Sequence, residues 1–326
     1  MIWLQFLASA AVVVLAAIKL AEYSDVIAVR TRLSGMFIGT LLLAGATSLP
    51  ELLSATNALA IGAPNLAAGG LLGSNMFNMF MLAILDILGR NARVLRRVAM
   101  RHALTASLAI LLIGLVVFLI LADIHVAVGW VGLDSILIMG AYIAGIRVIQ
   151  GQAGAPATET DIDPRVPSLR RAVIGFALAT IALVIVVPFL VRSTDQIGII
   201  TGLSAGFVGA TLLAITTSLP EMVSTITAVR IGAYDLAVGN LFGSNLFNMF
   251  ALGVTDLLYF NGIFLAEIDP GFAIVGMLGL LLTSLGLIGN VAQVERRIWF
   301  LEVDALLIMG GYFLGMWYLY ARGMGI

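Results

Sequence analysis

Apolar positions in this chain fill continuous runs rather than recurring at helical or strand spacing. Ten runs stand at about 2–22, 34–60, 66–88, 102–122, 127–149, 170–191, 198–229, 235–259, 271–290 and 298–320. A run of about 18 or more apolar residues is long enough to cross roughly 30 Å of hydrocarbon as a helix. The pattern therefore predicts an all-α polytopic membrane protein with ten transmembrane helices. Met1–Ile18 has no basic residue before it, as a secretory signal would require, so it reads as a retained first span. The longest polar stretch is Gln150–Arg170, which contains APATETDIDPRVPS and reads as a linker. It divides the chain into an N-terminal five-helix half (1–150), a cytoplasmic linker (151–169) and a C-terminal five-helix half (170–326).

The positive charges give these spans a direction. Lys19, Arg30, Arg32, Arg90, Arg93, Arg96, Arg97, Arg101, Arg147, Arg165, Arg170, Arg171, Arg230, Arg296 and Arg297 fall on one side of a ten-span topology; only Arg192 and Arg322 fall on the other. Basic residues collect on the cytoplasmic side of membrane proteins. Both termini are thus expected outside the cell membrane and the linker inside.

The two halves repeat each other. With a shift of 170 residues, residues 39–88 align with 209–258 without a gap, and 28 of the 50 positions are identical. The first copy contains ATSLPELLSATNALAIGAPNLAAGGLLGSNMFNMF and the second TTSLPEMVSTITAVRIGAYDLAVGNLFGSNLFNMF. The same shift pairs Asp134–Gly145 with Asp304–Gly315, so the duplication covers each half. Five spans separate equivalent positions, and an odd number inverts the second copy. Two inverted five-helix repeats are an arrangement that recurs in secondary transporters, with the substrate site at mid-membrane where the repeats meet.

Composition narrows the chemistry. Apolar residues make up 61% of the chain and charged residues 11%, against roughly 25% charged in soluble domains. There is no cysteine, which excludes thiol catalysis and disulfides, and only two histidines, His102 and His125. Both fall at span ends, without partners in the repeat, and are expected at the membrane interface. Asp25 with Asp195, Asp86 with Asp256 and Asp134 with Asp304 match across the repeat near span ends, where capping and anchoring are the expected roles. The arginines between Arg90 and Arg101 read as a topology signal that can also touch anionic lipid.

Two acids lie deep within spans. Glu51 sits in the second and Glu221, its counterpart, in the seventh. A carboxylate in hydrocarbon costs several kcal/mol unless a cation, a proton or donors partner it. Pro50 and Pro220 precede them, each removing a backbone hydrogen bond and freeing a carbonyl. Thr47 and Ser48 lie four and three residues before Glu51, on its helical face, and Thr217 and Ser218 do the same for Glu221. The carbonyls of Ala44 and Ala214 lie one turn further back. In the second shared block, GSNxFNMF, Ser74 and Asn78 share a face, as do Ser244 and Asn248; Asn75 and Asn245 point elsewhere. Every candidate ligand is oxygen, which suits hard cations such as Ca²⁺ and Na⁺. Two carboxylates would neutralise one Ca²⁺, or hold two or more Na⁺ or two protons.

The duplicated TSLPE and GSNxFN blocks resemble the α-repeats of the cation/Ca²⁺ exchanger superfamily, particularly its prokaryotic Na⁺/Ca²⁺ exchangers. The resemblance covers about 50 residues of each half. It implies that Glu51 and Glu221 are Ca²⁺ ligands. It further implies that Thr47, Ser48, Ser74, Thr217, Ser218, Ser244 and the Ala44 and Ala214 carbonyls shape the Na⁺ and Ca²⁺ sites, with Asn78 and Asn248 at the remaining central positions. Ala46 and Thr216 replace the glycine that usually precedes TS in the family. Asn248 stands where K⁺-dependent members carry Asp, which argues against K⁺ co-transport. The resulting expectation is an antiporter exchanging Na⁺ for Ca²⁺ by alternating access, with H⁺/Ca²⁺ exchange as the alternative. The transported ions and membrane lipid are the expected partners, with no cofactor, nucleic acid or protein partner. No nucleotide-binding motif is present, so an ion gradient would drive flux. An intramembrane hydrolase would need an asymmetric site with a histidine at span depth, and the chain is not read as an enzyme. A channel would use the same acids without counter-ion dependence, and a non-transporting paralogue would not keep both.

Overall fold

A computed structural model of the chain describes residues 2–60, 62–88, 102–152, 166–201, 214–292, 297–298 and 301–321. Most of the predicted linker, residues 202–213 of the seventh run and the arginines from Arg90 to Arg101 lie outside the described residues.

The described residues are predominantly helical. Helix α1 spans Ile2–Thr31; the second run is broken into α2 (Gly35–Phe37), a π-helical segment (Ile38–Leu43), α3 (Ala44–Thr47) and α4 (Leu49–Ala60). Then follow α5 (Pro64–Leu88), α6 (Ala103–Ala122), α7 (Leu133–Gln152), α8 (Leu169–Thr201), α9 (Ala214–Thr217), α10 (Leu219–Arg230), α11 (Tyr234–Leu257), α12 (Phe272–Ala292) and α13 (Val303–Ala321).

Among the described residues, seven stretches are long and apolar enough to cross a membrane: Ile2–Thr31, Gly35–Ala60, Pro64–Leu85, Ala103–Ala122, Leu133–Gly151, Leu169–Ser193 and Phe272–Gly289. Helix α11 is long enough by its 24 residues but is not among them. It is lined with Asn, Ser and Thr, and is buried along most of its length, so its neighbours are protein rather than lipid.

Several boundaries differ from the pattern-based reading, α1 among them, since it runs to Thr31 rather than residue 22. The run at 127–149 begins as a hairpin, Ala127–Val128 with Val131–Gly132, before α7 starts. The run at 298–320 begins the same way, with Arg297–Ile298 paired to Leu301–Glu302. Val and Ile suit strand and helix alike, so apolarity alone does not distinguish them. Helix α8 continues past residue 191 through Arg192, Gln196 and Gly198 to Thr201.

Equivalent local structures recur at the 170-residue offset. The two hairpins are one pair. The helix ends at Gly62 (φ 72°) and Gly232 (φ 82°) are another. At the first, Ala63 N–H donates to Ala58 O at 2.9 Å and Gly62 N–H to Leu59 O at 2.9 Å; at the second, Ala233 N–H donates to Ala228 O at 2.8 Å and Gly232 N–H to Val229 O at 3.1 Å. This is the Schellman pattern, which needs a left-handed residue and hence glycine.

Packing falls into two bodies of apolar side chains. The larger gathers residues of α5, α6, α7, α11, α12 and α13. The smaller joins α1 to α8 and to the second run. Outward, α1 and α8 expose Leu4, Leu7, Leu15, Leu178, Ile181 and Ile185, an apolar surface suited to lipid. Fully buried Asp256 accepts the Gly132 and Phe264 N–H groups, both at 2.7 Å, so it anchors the first hairpin. His125 is exposed, but His102, expected at the interface, is enclosed at the start of α6 with Nε2 3.6 Å from Asp235 Oδ1.

The centre depends on close backbone approach. Helix α11 packs on the π-helical segment through Gly39, Gly239 and Gly243; a Cβ at Gly39 would lie 2.6 Å from the Leu236 carbonyl oxygen. Gly39→Val should therefore destabilise the protein by about 2 kcal/mol through backbone displacement. Thermal unfolding in detergent should show a clearly lowered midpoint, whereas Gly140→Ala, at an exposed helical position with open space, should leave it unchanged.

Candidate cation-binding site

Each copy of TSLPE folds as a broken helix. Ser48 (φ −91°, ψ 4°) separates α3 from α4, and Ser218 (φ −84°, ψ 9°) separates α9 from α10. The break follows from Pro50 and Pro220: proline has no N–H to continue the ladder, and it disfavours helical conformation in the residue before it. The carbonyl that Pro50 cannot serve is that of Ala46. The Ala44 carbonyl already accepts the Ser48 N–H at 2.9 Å. Ala214 opens α9 at the equivalent place.

The break puts each glutamate in the first turn of a new helix, where unshared amide groups and the helix dipole favour negative charge. Both are deeply buried, Glu51 at 3% exposure and Glu221 at 1%. Each receives a hydroxyl from the opposite half of the chain. Ser48 Oγ donates to Glu221 Oε1 at 2.7 Å, and Ser218 Oγ donates to Glu51 Oε1 at 2.9 Å. Ser74 Oγ lies 3.1 Å from Ser218 Oγ and can donate to it.

The asparagines cross in the same way. Asn78 Nδ2 donates to Asn245 Oδ1 and Asn248 Nδ2 to Asn75 Oδ1, both at 2.9 Å. Asn75 and Asn245 thus do not point away from the candidate ligands; they hold the amide ends of Asn78 and Asn248.

What remains is a set of buried oxygens. Glu51 Oε2, Glu221 Oε2, Asn78 Oδ1, Asn248 Oδ1 and Ser244 Oγ have no hydrogen-bond partner among the described residues. Leaving even neutral acceptors unpaired in the interior costs about 1–3 kcal/mol each, and charged ones more. A hard cation would satisfy such oxygens. Among the described residues no three of His, Cys, Asp and Glu come together, so neutral oxygens must complete any coordination sphere. The set contains no soft ligand.

Thr47 and Thr217 are buried beside the breaks. Thr47 Oγ1 lies 3.1 Å from Leu43 O, 3.4 Å from Ala44 O and 3.2 Å from Asn240 Oδ1, sharing one proton among three acceptors. Asn240 went unnoticed in the sequence. Its Nδ2 reaches Ser224 Oγ at 3.0 Å, Thr225 Oγ1 at 2.9 Å and the Glu221 carbonyl at 3.4 Å, so it ties α3 to α10. The signal for it was a mismatch within the repeat: Gly70 stands opposite Asn240, and Ala55 opposite Thr225.

The arrangement has clear relatives. The sodium/calcium exchanger protein family matches residues 1–148 and 171–321. CaxA of Alkalimonas amylolytica is 30% identical over 288 residues, covering 83% of this chain and 85% of that protein. The sodium/calcium exchanger MaX1 of Methanosarcina acetivorans is 33% identical over 120 residues, covering 36% of this chain and 34% of its own. The fold is that of the sodium-calcium exchanger NCX_Mj, solved after soaking in 10 mM Na⁺ without Ca²⁺: the TM-score is 0.70 at 18% identity, over 98% of this chain and 100% of that one. Matched over nearly its whole length, the chain belongs to the sodium/calcium exchanger family.

Proposed function

We propose that the chain is a secondary antiporter that exchanges Na⁺ for Ca²⁺ across the cell membrane, independently of K⁺. Glu51 and Glu221 are its central ligands. Ser74, Ser244, Asn78 and Asn248, with Thr47, Ser48, Thr217, Ser218 and the Ala44 and Ala214 carbonyls, complete and shape the sites. One observation carries this reading: two carboxylate oxygens, two amide oxygens and a hydroxyl are buried without partners among the described residues where equivalent segments of the two halves cross. A divalent cation neutralises both acids at once. Several Na⁺ ions can use the same oxygens one at a time, and competition for them is a sufficient physical basis for exchange. Neutral Asn248 supports K⁺ independence, since it withholds the third carboxylate of K⁺-dependent members.

The architecture proposed for this activity is ten spans in two inverted five-helix repeats, 1–150 and 170–326, joined by a cytoplasmic linker at 151–169, with both termini outside. The recurring hairpins, helix ends and crossed hydrogen bonds at one offset support it. Alternating access then follows from exchanging one set of repeat contacts for its mirror image. Only the transported ions and lipid are required as partners, and no cofactor.

Tracer Ca²⁺ uptake into proteoliposomes tests this reading. Vesicles loaded with Na⁺ should accumulate Ca²⁺ when the outside is Na⁺-free, and K⁺-loaded vesicles should not. Glu51→Gln should abolish uptake. Uptake driven by a pH gradient alone would make H⁺ the coupling ion, and no Ca²⁺ flux under any gradient would refute the substrate.

The crossed serines make a second prediction. Ser48→Ala and Ser218→Ala each free one carboxylate to rotate, and losing such an orienting partner weakens metal binding about tenfold or more. The apparent KM for Ca²⁺ should rise by similar factors in both variants. A rise in only one would show that the two glutamates are unequal in function.

A further inference from the structure

An amide side chain offers an oxygen at one corner and an NH₂ group at the other, in nearly the same shape. A cation site that uses Asn78 must therefore be told which corner to present. The structure contains a relay that does so. It begins at the Gly279 carbonyl, which can only accept. Thr283 Oγ1, one turn further along α12, donates its single proton there at 2.7 Å. With that proton engaged, the Thr283 oxygen can only accept from Asn245, whose Nδ2 lies 3.5 Å away. Asn245 must then turn Oδ1 to Asn78, and Asn78 must answer with Nδ2, at 2.9 Å. The one orientation left for Asn78 keeps Oδ1 free of protein partners among the described residues. Thr283 and Asn245 are fully buried and Asn78 is 1% exposed, so solvent does not interrupt the chain.

The equivalent relay in the other half is not anchored. Asn248 donates to Asn75 Oδ1, but Asn75 Nδ2 has no hydrogen-bond partner among the described residues. The positions matching Thr283 and Gly279 are Ile113 and Ala109 on α6. An isoleucine cannot accept the hydrogen bond.

We propose that Thr283 and Asn245 are positioning residues that lock the Asn78 carbonyl oxygen onto the transported cation. The two central amides are consequently unequal: Asn78 is polarised from outside the site, and Asn248 is not. This inference rests on the proposed cation site. A reversed Asn78 would remove one ligand oxygen and turn NH₂ hydrogens toward the positive charge.

Thr283→Val keeps the shape and removes the hydroxyl, Thr283→Ser restores it, and Thr283→Ala serves if the valine variant does not reconstitute. Expected in proteoliposomes is an apparent KM for Ca²⁺ raised about tenfold in Thr283→Val, as for other losses of a ligand-orienting partner, with the maximal rate and Thr283→Ser unchanged. Side-chain ¹⁵N NMR of asparagine-labelled protein reads the orientation directly. The Asn78 NH₂ signal should be protected from exchange in wild type and Thr283→Ser, and lose that protection in Thr283→Val. An unaltered KM or an unaltered Asn78 signal in Thr283→Val overturns the relay. Absence of Ca²⁺ flux in wild type, together with the altered Asn78 signal in the variant, refutes the transport reading and upholds the relay.

Discussion

Two carboxyl groups enclosed in an apolar bundle set the terms for everything around them. Burial strips Glu51 and Glu221 of water, and a charged group in that position persists only with compensation. The protein supplies part of it: one serine hydroxyl for each acid, and the first turn of a helix beneath each. One oxygen of each carboxylate is left without a hydrogen bond among the described residues. The folded chain is thus electrostatically incomplete at its centre, in the way a site for a mobile cation must be. A site fully satisfied by its own protein would have no reason to take up an ion, and one with a built-in lysine or arginine would never need it.

The rest of the fold makes that centre possible. The crossed serines reach the opposite glutamates because α11 and the π-helical segment approach at backbone distance, through Gly39, Gly239 and Gly243. Such approach is the usual way helices pack in lipid, where apolar side chains gain nothing by leaving their neighbours. The prolines break the second run where its ladder would otherwise consume the amide groups beneath Glu51. Around this polar axis, the α5, α6, α11, α12 and α13 side chains form a continuous apolar layer. The free oxygens lie buried within it.

Much of this was legible in the sequence, because membranes and duplications write in repeated units. Run lengths gave the class, and one 170-residue offset gave both glutamates, both serine pairs and both helix breaks. Part of what escaped is what the offset does not relate. Asn240 sits opposite Gly70, so comparing the halves hides it, although it ties Thr47 to the Glu221 helix. Asn75 and Asn245 were visible, but helical spacing placed them away from the ligands' own face. Only the packing of α5 against α11 reveals that they face the candidate ligands of the other half. The paired strands at 127–132 and 297–302 escaped for another reason: strands of two residues at the edge of a long apolar run are too short to show a period that distinguishes strand from helix.

A few of the mismatches between halves bear on the candidate site. The duplicated residues supply what a two-state carrier needs in equal measure on both sides: an acid, an orienting hydroxyl, an amide oxygen and a broken helix. Equality alone would give two faces of identical affinity. The unmatched residues gather polar groups at one place in each pair: Asn240 and Thr225 beside Glu221, and Thr283 behind Asn78, against Gly70, Ala55 and Ile113. None of them is a candidate ligand: Asn240 bonds Thr47 Oγ1 and the Glu221 carbonyl, whereas Thr225 and Thr283 act one residue removed, through Asn240 and Asn245. A change at that distance adjusts how firmly a ligand is held without removing an oxygen from the site. Divergence confined to the supporting residues is therefore a way such a chain can become unequal toward its two sides, or toward the two ions proposed for it, while keeping the candidate ligand set that the two halves share.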